Sequence, residues 1–372
     1  MRAVRNLRVF VAIAAAGITA AGIAAAWPAS ASARRTSSAS AAAPAVRPAG
    51  YGNPNGHVYV PVAARAVSTA HPNHVIGDGR PASCTSAAVV RAVALGGIIT
   101  FNCGPKPVTI TMKATAKVVN TSHRIVLDGG GLVTLSGAGK TRILYMNTCD
   151  PKQKYTTTDC WEQHWPQLIV QNLTFRDAYS AVRETSSSSY GGGAIFDEGG
   201  QLKVVNSGFI NNRCFRYGPD LGGAAIRALG MWTGSPVYIT GDTFEGGRCS
   251  NGGGLSSIDA SWNVYNSLFT GNQTTGRGEN AGSVGGGSGG GIYTDGDSYS
   301  VLVDGTVMQN NRAAAGEGGA IFFVVDAGRG VLRIEYSTLH HNPAGGYDNA
   351  PGIFDDVDQK VTKPVVIHSK IS

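Results

Sequence analysis

Pairs of acidic residues follow short apolar segments in the second half of the chain. Asp197 and Glu198 follow one such segment, and Asp295 and Asp297 follow another. Two carboxyl groups that face each other across a glycosidic bond can hydrolyse it, at a separation of about 5 Å or about 6.5–9.5 Å. Carboxylate oxygens are also the ligands that Ca²⁺ prefers. The sequence therefore offers these acids as catalytic residues or as Ca²⁺ ligands, and solvated turn residues are the alternative for each.

Arg227 directly follows another short apolar segment. Arg can clamp the carboxylate of a uronate, and it can stabilise the charge that develops when a base removes the proton next to that carboxylate. Lys203 and Arg333 are further candidates for the base. This set predicts lyase chemistry as a second possibility beside hydrolysis.

Two groups of aromatic residues could bind sugars, because aromatic faces stack on the apolar faces of sugar rings. The first group is Phe196, Tyr293 and Phe322, which share their position in the sequence pattern with Arg227 and Ser256. If the residues before them point inward, these five point outward in one column. The alternative is that loops cover the column as a second small core.

The second aromatic group lies in the segment Cys149–Trp165, which contains Trp161, His164 and Trp165. Two Trp side chains in or beside a short loop are costly to expose without a ligand. They are therefore candidates for substrate binding, and packing against the flank of the main fold is the alternative.

Two repeated signatures identify the elements that must position these residues. The first is Gly-Gly followed by apolar residues, found at Gly192, Gly222, Gly253, Gly290 and Gly318. The second is a large apolar residue with Asn three positions later, found at Phe209, Phe269, Met308 and Leu339. Signatures that alternate with a period of roughly 30 residues indicate stacked copies of one structural unit.

Each unit is predicted to consist of short strands. Runs such as Leu202-Lys203-Val204 alternate apolar and mixed residues, as strands with one buried face do. A turn-forming Asn or Gly follows most runs, and Tyr336 interrupts that series. Several strands and no helix per unit predict a parallel β-helix. An immunoglobulin-like sandwich is the competing fold, although it does not explain the repeated register.

The alternation of Gly-Gly-Ala-Ile with Phe-x-x-Asn over about residues 168–354 resembles the repeats of polymorphic outer-membrane proteins and of related secreted proteins in the pectate-lyase-like superfamily. The resemblance implies an all-β fold, a right-handed single-stranded parallel β-helix. Thr85–Leu95 would form a short N-terminal capping helix. Such proteins include lyases, hydrolases and adhesins, so the fold alone does not give the activity. The catalytic Arg motifs of pectate lyases are not recognisable here, which weakens the lyase interpretation.

Three segments are predicted along the chain. Residues 1–33 have the basic start, the apolar run and the small-residue ending of a secretory signal peptide, with a retained membrane anchor as the alternative. Residues 34–75 are rich in Ala, Ser and Pro, carry Arg without acids, and are expected to be a disordered basic leader. Residues 76–372 form the β-helix domain.

Charge and cysteine content limit the partners and the compartment. Of the 31 Lys and Arg, three lie in the signal and four in the leader, which leaves 24 against 24 acids from Asp78 onward. A neutral body without a clustered basic surface argues against nucleic acid as a partner. Six Cys suit an oxidising compartment and allow fifteen pairings. Pairing of neighbours gives Cys84–Cys103, Cys149–Cys160 and Cys214–Cys249.

These observations predict a secreted, extracellular and monomeric protein. Association with a cell wall is compatible with this prediction. Its partner is expected to be an extracellular polysaccharide, on which it acts as a polysaccharide lyase or glycoside hydrolase. A non-catalytic adhesion module at the cell surface is the alternative, and a structural stalk is a third hypothesis. The sequence requires no cofactor, and Ca²⁺ is the one candidate that it offers.

Overall fold

The chain winds into stacked coils whose strands form parallel sheets. The computed structural model describes residues 50–154, 157–184 and 190–372. Every pairing between the described strands is parallel except that of Ile353–Val357 with Lys360–Val361. This arrangement confirms the predicted parallel β-helix and rules out the face-to-face sandwich.

The long sheet has 17 strands and carries two of them in most coils. The chain bends within this sheet at Asn172, Asn206 and Asn266 in three coils, where φ is 53°, 49° and 49°. Tyr336 takes the same left-handed conformation, with φ 46°, so it continues the bend that it was expected to interrupt. Its amide donates to the carbonyl of Ile367 in the next coil, which fixes the backbone there. The strands of the long sheet are His74–Ile76, Gly97–Phe101, Val108–Thr111, Arg124–Ser136, Gln167–Arg176, Gln201–Val205, Gly208–Ile210, Val237–Thr240, Thr243–Glu245, Trp262–Tyr265, Leu268–Thr270, Val301–Asp304, Val307–Gln309, Leu332–Glu335, Thr338–His340, Val365–Ile367 and Lys370–Ile371.

Two further sheets complete the coils. The sheet that we call the Gly-Gly sheet has nine strands, five of which begin shortly after a Gly-Gly signature. Its strands are Ala116–Lys117, Leu144–Asn147, Ile195–Glu198, Ile226–Leu229, Leu255–Ile258, Ile292–Asp295, Ile321–Val325, Ile353–Val357 and Lys360–Val361. The short sheet has four strands, which are Tyr179–Ser180, Arg213–Cys214, Arg248–Cys249 and Gln273–Thr274. Short 3₁₀ helices occupy Val62–Ala64, Pro81–Ser83, Pro151–Gln153 and Glu279–Val284.

A column of stacked rings fills the interior. Phe175, Phe209, Phe244 and Phe269 follow one another with ring centroids 5.0, 4.9 and 4.6 Å apart. Met308 and Leu339 continue the column in strand register, and all six are buried. The spacing is that of adjacent strands, because each coil contributes one residue to each column. The repeated large apolar residue therefore forms the core, as the sequence predicts.

The Asn of the second signature forms a buried ladder beside this column. The side-chain amide of Asn272 donates to the side-chain oxygen of Asn311 at 2.8 Å, and that of Asn311 donates to Asn342 at 2.9 Å. These bonds satisfy polar groups that would be costly to bury alone. The signature is thus structural, and it holds the bend after the long sheet.

An α-helix, Ser86–Leu95, caps the first coil. The side chain of Thr85 accepts from the amide of Ala88, and Gly96 ends the helix with φ 75°. Val89 and Val93 are buried against the core. The predicted capping helix is confirmed, and it protects the open end of the sheets from pairing with another chain.

All three predicted disulfides are present. The Cα atoms are 5.7 Å apart in Cys84–Cys103, 5.1 Å in Cys149–Cys160 and 4.8 Å in Cys214–Cys249. The first links the start of the helix to the first full strand, and the last links adjacent strands of the short sheet. No free cysteine occurs among the residues described.

The later part of the predicted disordered leader is ordered, which corrects the expected boundary at residue 75. The amide of Asn53 donates to the carbonyl of Asn266, and that of Val67 donates to the side chain of Gln171. The hydroxyl of Thr69 donates to Asp128 at 2.8 Å. Composition failed here because residues 50–75 obtain their hydrogen-bond partners from the outer side of the long sheet rather than from one another. We call this segment the leader strap.

The predicted signal peptide and residues 34–49 lie outside the described residues. Over the part of the chain that is described, no helix has the length and apolar character needed to cross a membrane.

Candidate functional site

The five residues expected to point outward from the Gly-Gly sheet do form one column, which we call the outer column. Phe196 pairs with Arg227, Arg227 with Ser256, Ser256 with Tyr293 and Tyr293 with Phe322, each on an adjacent strand. The residues before them are buried in the core. Alternation along the strand therefore positions the column, but its two ends differ in what covers them.

One end of the outer column is covered. Phe196, Arg227 and Ser256 have no exposed surface. The Arg142 guanidinium lies 5.0 Å from the ring centroid of Phe196. Arg227 donates to the hydroxyl of Ser256 and to the backbone carbonyl of Asp220, and burial lowers its pKa. This end is the second small core that was the alternative, so Arg227 and Phe196 do not face a ligand.

The other end borders a groove of about 440 Å³. Its floor is a stack of three rings in which Tyr293 lies 4.8 Å from Phe322, and Phe322 lies 5.3 Å from Phe354. Loop residues around Pro219 and Gly286 form a wall. Tyr293 and Phe322 are only 5% and 6% exposed, because the three rings stack on one another, so the floor is an apolar base that leaves little of these two ring faces open.

Acidic side chains surround this floor. We call the site the acidic groove, because Asp220, Glu279, Asp295, Asp326 and Asp356 line it. Burial raises the pKa of Asp295, while a hydrogen bond of 2.9 Å from the hydroxyl of Tyr293 acts in the opposite direction. Burial also raises the pKa of Asp326, and Asp297 and Asp259 add to that shift. At least two groove acids thus hold their protons to higher pH than an ordinary Asp.

Asp295 and Asp356 point outward from neighbouring positions of the sheet. Both are fourth residues of their strands, and Val324 on the intervening strand pairs with Asp356. Two strand spacings separate their backbones, about 9.5 Å. Val324 lies between them on the same face and also lines the groove, so the two acids stand on either side of an apolar side chain.

Comparison with profiles of known protein families, with curated proteins and with solved structures found no match to this chain. The chemistry of the groove therefore follows from its own residues.

Asp197 does not belong to the groove, which corrects its place among the catalytic candidates. It is the third residue of the strand Ile195–Glu198, in register between Met146 and Ala228, and it is fully buried. Neither carboxylate oxygen has a hydrogen-bond partner. Burial, and then the neighbouring Glu198, raise the pKa of Asp197 well above its usual value. The acids looked like turn residues in the sequence, but the strand continues through them, so alternation sends Asp197 inward.

Glu198 and Asp297 also lie apart from the groove. The Glu198 carboxylate accepts from the side-chain amide of Asn147 at 2.6 Å and from the indole of Trp161 at 3.2 Å. Asp297 is exposed beyond the end of its strand, and its amide donates to Asp259 at 2.6 Å. Of the five catalytic candidates, only Asp295 lines the groove.

The insert closed by Cys149–Cys160 packs on the flank of the β-helix. Trp165 stacks on His123 with centroids 5.1 Å apart, and His164 meets its edge at 4.2 Å. Trp161 lies over the backbone of Gly230 and stays 57% exposed. None of the three lines the acidic groove. Packing accounts for Trp165, whereas substrate binding by Trp161 and His164 stays a prediction.

Several groove residues were absent from the predicted set. Asp220 comes from a loop and Glu279 begins the short 3₁₀ helix Glu279–Val284, and both lie between strands, where the repeat carries no information about position. Phe354 and Asp356 belong to a further copy of the strand, Ile353–Val357. Only one Gly precedes that copy, at Gly352, so the Gly-Gly signature misses it. Its register would have been found from the pattern Ile, aromatic, any residue, acid, which it shares with Ile292–Asp295.

The Ca²⁺ prediction receives no support from the side chains described, among which no group of three or more His, Cys, Asp or Glu is arranged to hold a metal ion.

The sequence led us to expect no clustered basic surface, and the structure corrects this. Arg213 pairs with Arg248 on adjacent strands of the short sheet, and Arg312 lies two coils further along. Arg213 and Arg248 are 35 positions apart in the sequence, and Arg248 and Arg312 are 64 positions apart, so only the winding of the chain brings them together.

Proposed function

We propose that this chain is an exported protein that binds an extracellular polysaccharide in the acidic groove and hydrolyses its glycosidic bonds. The observation that supports this most is the placement of Asp295 and Asp356 beside a floor of stacked rings. The floor supplies a rigid apolar base for the bound sugar, and the acids supply the two groups that hydrolysis requires.

Hydrolysis is favoured over the lyase reaction by the charge of the groove. No Lys, Arg or His is among the described residues that line it. A lyase needs a base and a positive group beside the uronate carboxylate, and Arg227 is buried behind the groove with its own partners. Five acids would also repel a uronate. The preferred substrate is therefore a polysaccharide of neutral or amino sugars.

In the proposed reaction, Asp295 is the general acid. Its raised pKa keeps a proton available, which it donates to the glycosidic oxygen as the bond breaks. Asp356 is the general base, which accepts a proton from the water that attacks the anomeric carbon. The backbones of the two residues are about 9.5 Å apart, on either side of Val324. We propose inversion of configuration, which requires carboxyl groups about 6.5–9.5 Å apart with a water molecule at the base.

Export and repeat type belong to the same proposal. Three disulfides support an oxidising compartment, in agreement with the signal-like start of the sequence. We assign the repeats to the type found in polymorphic outer-membrane proteins on the strength of their two signatures alone. The protein would act outside the cell as a monomer.

The test is cleavage of a panel of polysaccharides by the full exported chain. Neutral glucans, xylan, mannan and chitosan form one arm, and polyuronates form the other. New reducing ends without ultraviolet absorbance of unsaturated products are expected in the first arm. Asp295→Asn should abolish this signal, and Asp297→Asn, which alters an exposed acid outside the groove, should not. Equal activity of the two variants, or unsaturated products from the uronates, would overturn the assignment.

A non-catalytic adhesion module is the second candidate, and the exposed Trp161 favours it as a binding residue outside the groove. In that case the wild-type chain binds a polysaccharide but releases no reducing ends. Binding that Trp161→Ala weakens and Phe322→Leu leaves unchanged would place the ligand on the insert.

A further inference from the structure

The short sheet carries a row of arginines on its outer face. Arg213, Arg248 and Arg312 occupy one column, which we call the arginine column, with Gln273 between the last two. All three arginines are exposed. Adjacent strands place Arg213 and Arg248 about 4.8 Å apart at their backbones, and four coils span about 14 Å.

The arginine column has no internal counter-charge. None of the ion pairs and side-chain hydrogen bonds found among the described residues involves these three guanidiniums. Like charges directly opposite one another on adjacent strands destabilise a sheet. The pairing of Arg213 with Arg248 therefore costs stability in the free protein, and a bound anion would relieve that cost.

A surface depression adjoins the column at its N-terminal end. It has a volume of about 810 Å³ and is lined by Tyr179, Arg213, Phe215 and Arg216 among others. Tyr179 pairs with Arg213 and so extends the column by one coil. Arg216 lies 4.9 Å from the ring centroid of Tyr217, which holds it beside the depression. Among the described residues, Asp177 is the one acid that lines the depression, and its carboxylate is paired with Arg176.

We propose that the arginine column and this depression bind a linear anionic polysaccharide, one that bears carboxylate or sulfate groups. Planar guanidiniums recognise both groups through paired hydrogen bonds. The arginines follow one another at about 4.8 Å and, across Gln273, at about 9.6 Å, which suits a polymer that carries an anion on each sugar unit or on every second one. The site lies on a different sheet from the acidic groove and does not depend on the proposed hydrolysis.

A polysaccharide is favoured over a nucleic acid for two reasons. Single-stranded nucleic acids bind along rows of aromatic side chains on which successive bases stack. Here Tyr179 extends one end of the column and Phe215 lines the adjoining depression, so the described rings lie at one end of the site and do not run along the arginines. The three disulfides also indicate an oxidising compartment, where acidic polysaccharides are available.

The experiment measures the affinity of the full chain for a sulfated polysaccharide (heparin), for polygalacturonate and for a single-stranded DNA of matched charge, over a range of salt concentrations. The test variant is Arg213→Ala with Arg248→Ala. The matched control is Arg80→Ala with Arg333→Ala, which removes the same charge from exposed arginines elsewhere. Both variants change exposed side chains, and thermal melting confirms that each is folded.

We expect the test variant to lose about tenfold or more in affinity for at least one anionic polysaccharide, and the slope of log Kd against log salt to fall by about two charges. The control should retain wild-type affinity and slope. A preference for heparin identifies sulfate as the ligand group, and a preference for polygalacturonate identifies carboxylate. Equal affinities of the two variants, or tighter binding of the DNA than of either polysaccharide, would overturn the proposal.

Discussion

The ring of Tyr293 lies parallel to the ring of Phe322, with an interplanar angle of 0° and centroids 4.8 Å apart. The same Tyr293 donates its hydroxyl hydrogen to the carboxylate of Asp295 at 2.9 Å. One residue thus joins the aromatic floor of the groove to the acid that we assign as proton donor. Substitutions here separate binding from catalysis.

Replacing Phe322 with Leu should weaken sugar binding and leave the fold intact. Leu retains apolar contacts with the neighbouring strands but cannot stack between Tyr293 and Phe354, so the floor loses ring stacking worth about 0.5–1.5 kcal/mol and the shape that supports a sugar. We expect the Kd for a neutral oligosaccharide to rise by about three- to tenfold in calorimetric titration. Tyr347→Leu, which changes an exposed ring outside the groove, is the control. An unchanged Kd for Phe322→Leu would show that the floor does not bind sugar.

The pH dependence of cleavage should move when Tyr293 is replaced with Phe. The Tyr293 hydroxyl stabilises the ionised form of Asp295 and so lowers its pKa, against the larger effect of burial. Removing the hydroxyl raises the pKa further. Because the proposed reaction needs protonated Asp295, activity declines as pH rises through this pKa, and in Tyr293→Phe the decline should begin at higher pH. A kcat profile that moves to lower pH would contradict the role of Asp295 as acid.

Asp197→Val should stabilise the protein. Both oxygens of Asp197 are buried without partners, and an unsatisfied buried polar group costs about 1–3 kcal/mol. The folded-state pKa is raised, so the folded state binds more protons than the unfolded state, and stability falls as pH rises above the usual pKa of 3.8. The gain on substitution should therefore be larger at pH 7 than at pH 4. Denaturant unfolding at both values measures it, with Glu162→Val as an exposed control. A loss of stability would mean that Asp197 has a partner or a bound ion.

Asp304 should make the region under the leader strap sensitive to pH. Burial, and then Glu335, raise its pKa to about 6. Ionisation is disfavoured in the folded state, so the contribution of this residue to stability decreases as pH rises from about 4 to about 6. Asp304→Asn should remove that decrease and raise the melting temperature at pH 7 more than at pH 4. Equal shifts at both pH values would contradict the raised pKa.

Removing the disulfide Cys214–Cys249 should cost more stability than removing Cys149–Cys160. The first closes a separation of 35 residues and the second a separation of 11. Loop-closure entropy assigns them about 4 and about 3 kcal/mol. Paired Cys→Ala substitutions, compared by denaturant unfolding, give the two values. The reverse order would show that local packing of the insert outweighs chain entropy.

The spacing of repeated residues was sufficient to predict the core. Phe209 and Phe269 lie two coils apart, with Phe244 between them, and a β-helix places residues that recur in this way in one inward column. The three disulfides agree with the assumption that cysteines adjacent in the sequence pair with one another. The outer column was predicted in register as well, because alternation along a strand is a local property.

The acidic groove was predicted only in part, since it depends on where strands end and loops fold. Asp197 and Asp295 both follow an Ile by two or three positions, yet one points into the core and the other into the groove. Arg227 and Tyr293 share a column, yet a loop covers the first and leaves the second at the edge of the groove. Loops do not repeat, so the sequence pattern carries no signal for what they cover.

The sequence by itself therefore determined which residues stack, because each coil repeats the one before it and local alternation assigns each side chain to a face. Only the tertiary structure decided which outward residues meet solvent or one another across coils. Asp356 lies on the same face as Asp295, two strands away, and Arg248 lies beside Arg213, through pairing of strands far apart in the chain. Burial by a loop, and proximity between coils, are set by the path of the whole chain, and no local run of residues encodes them.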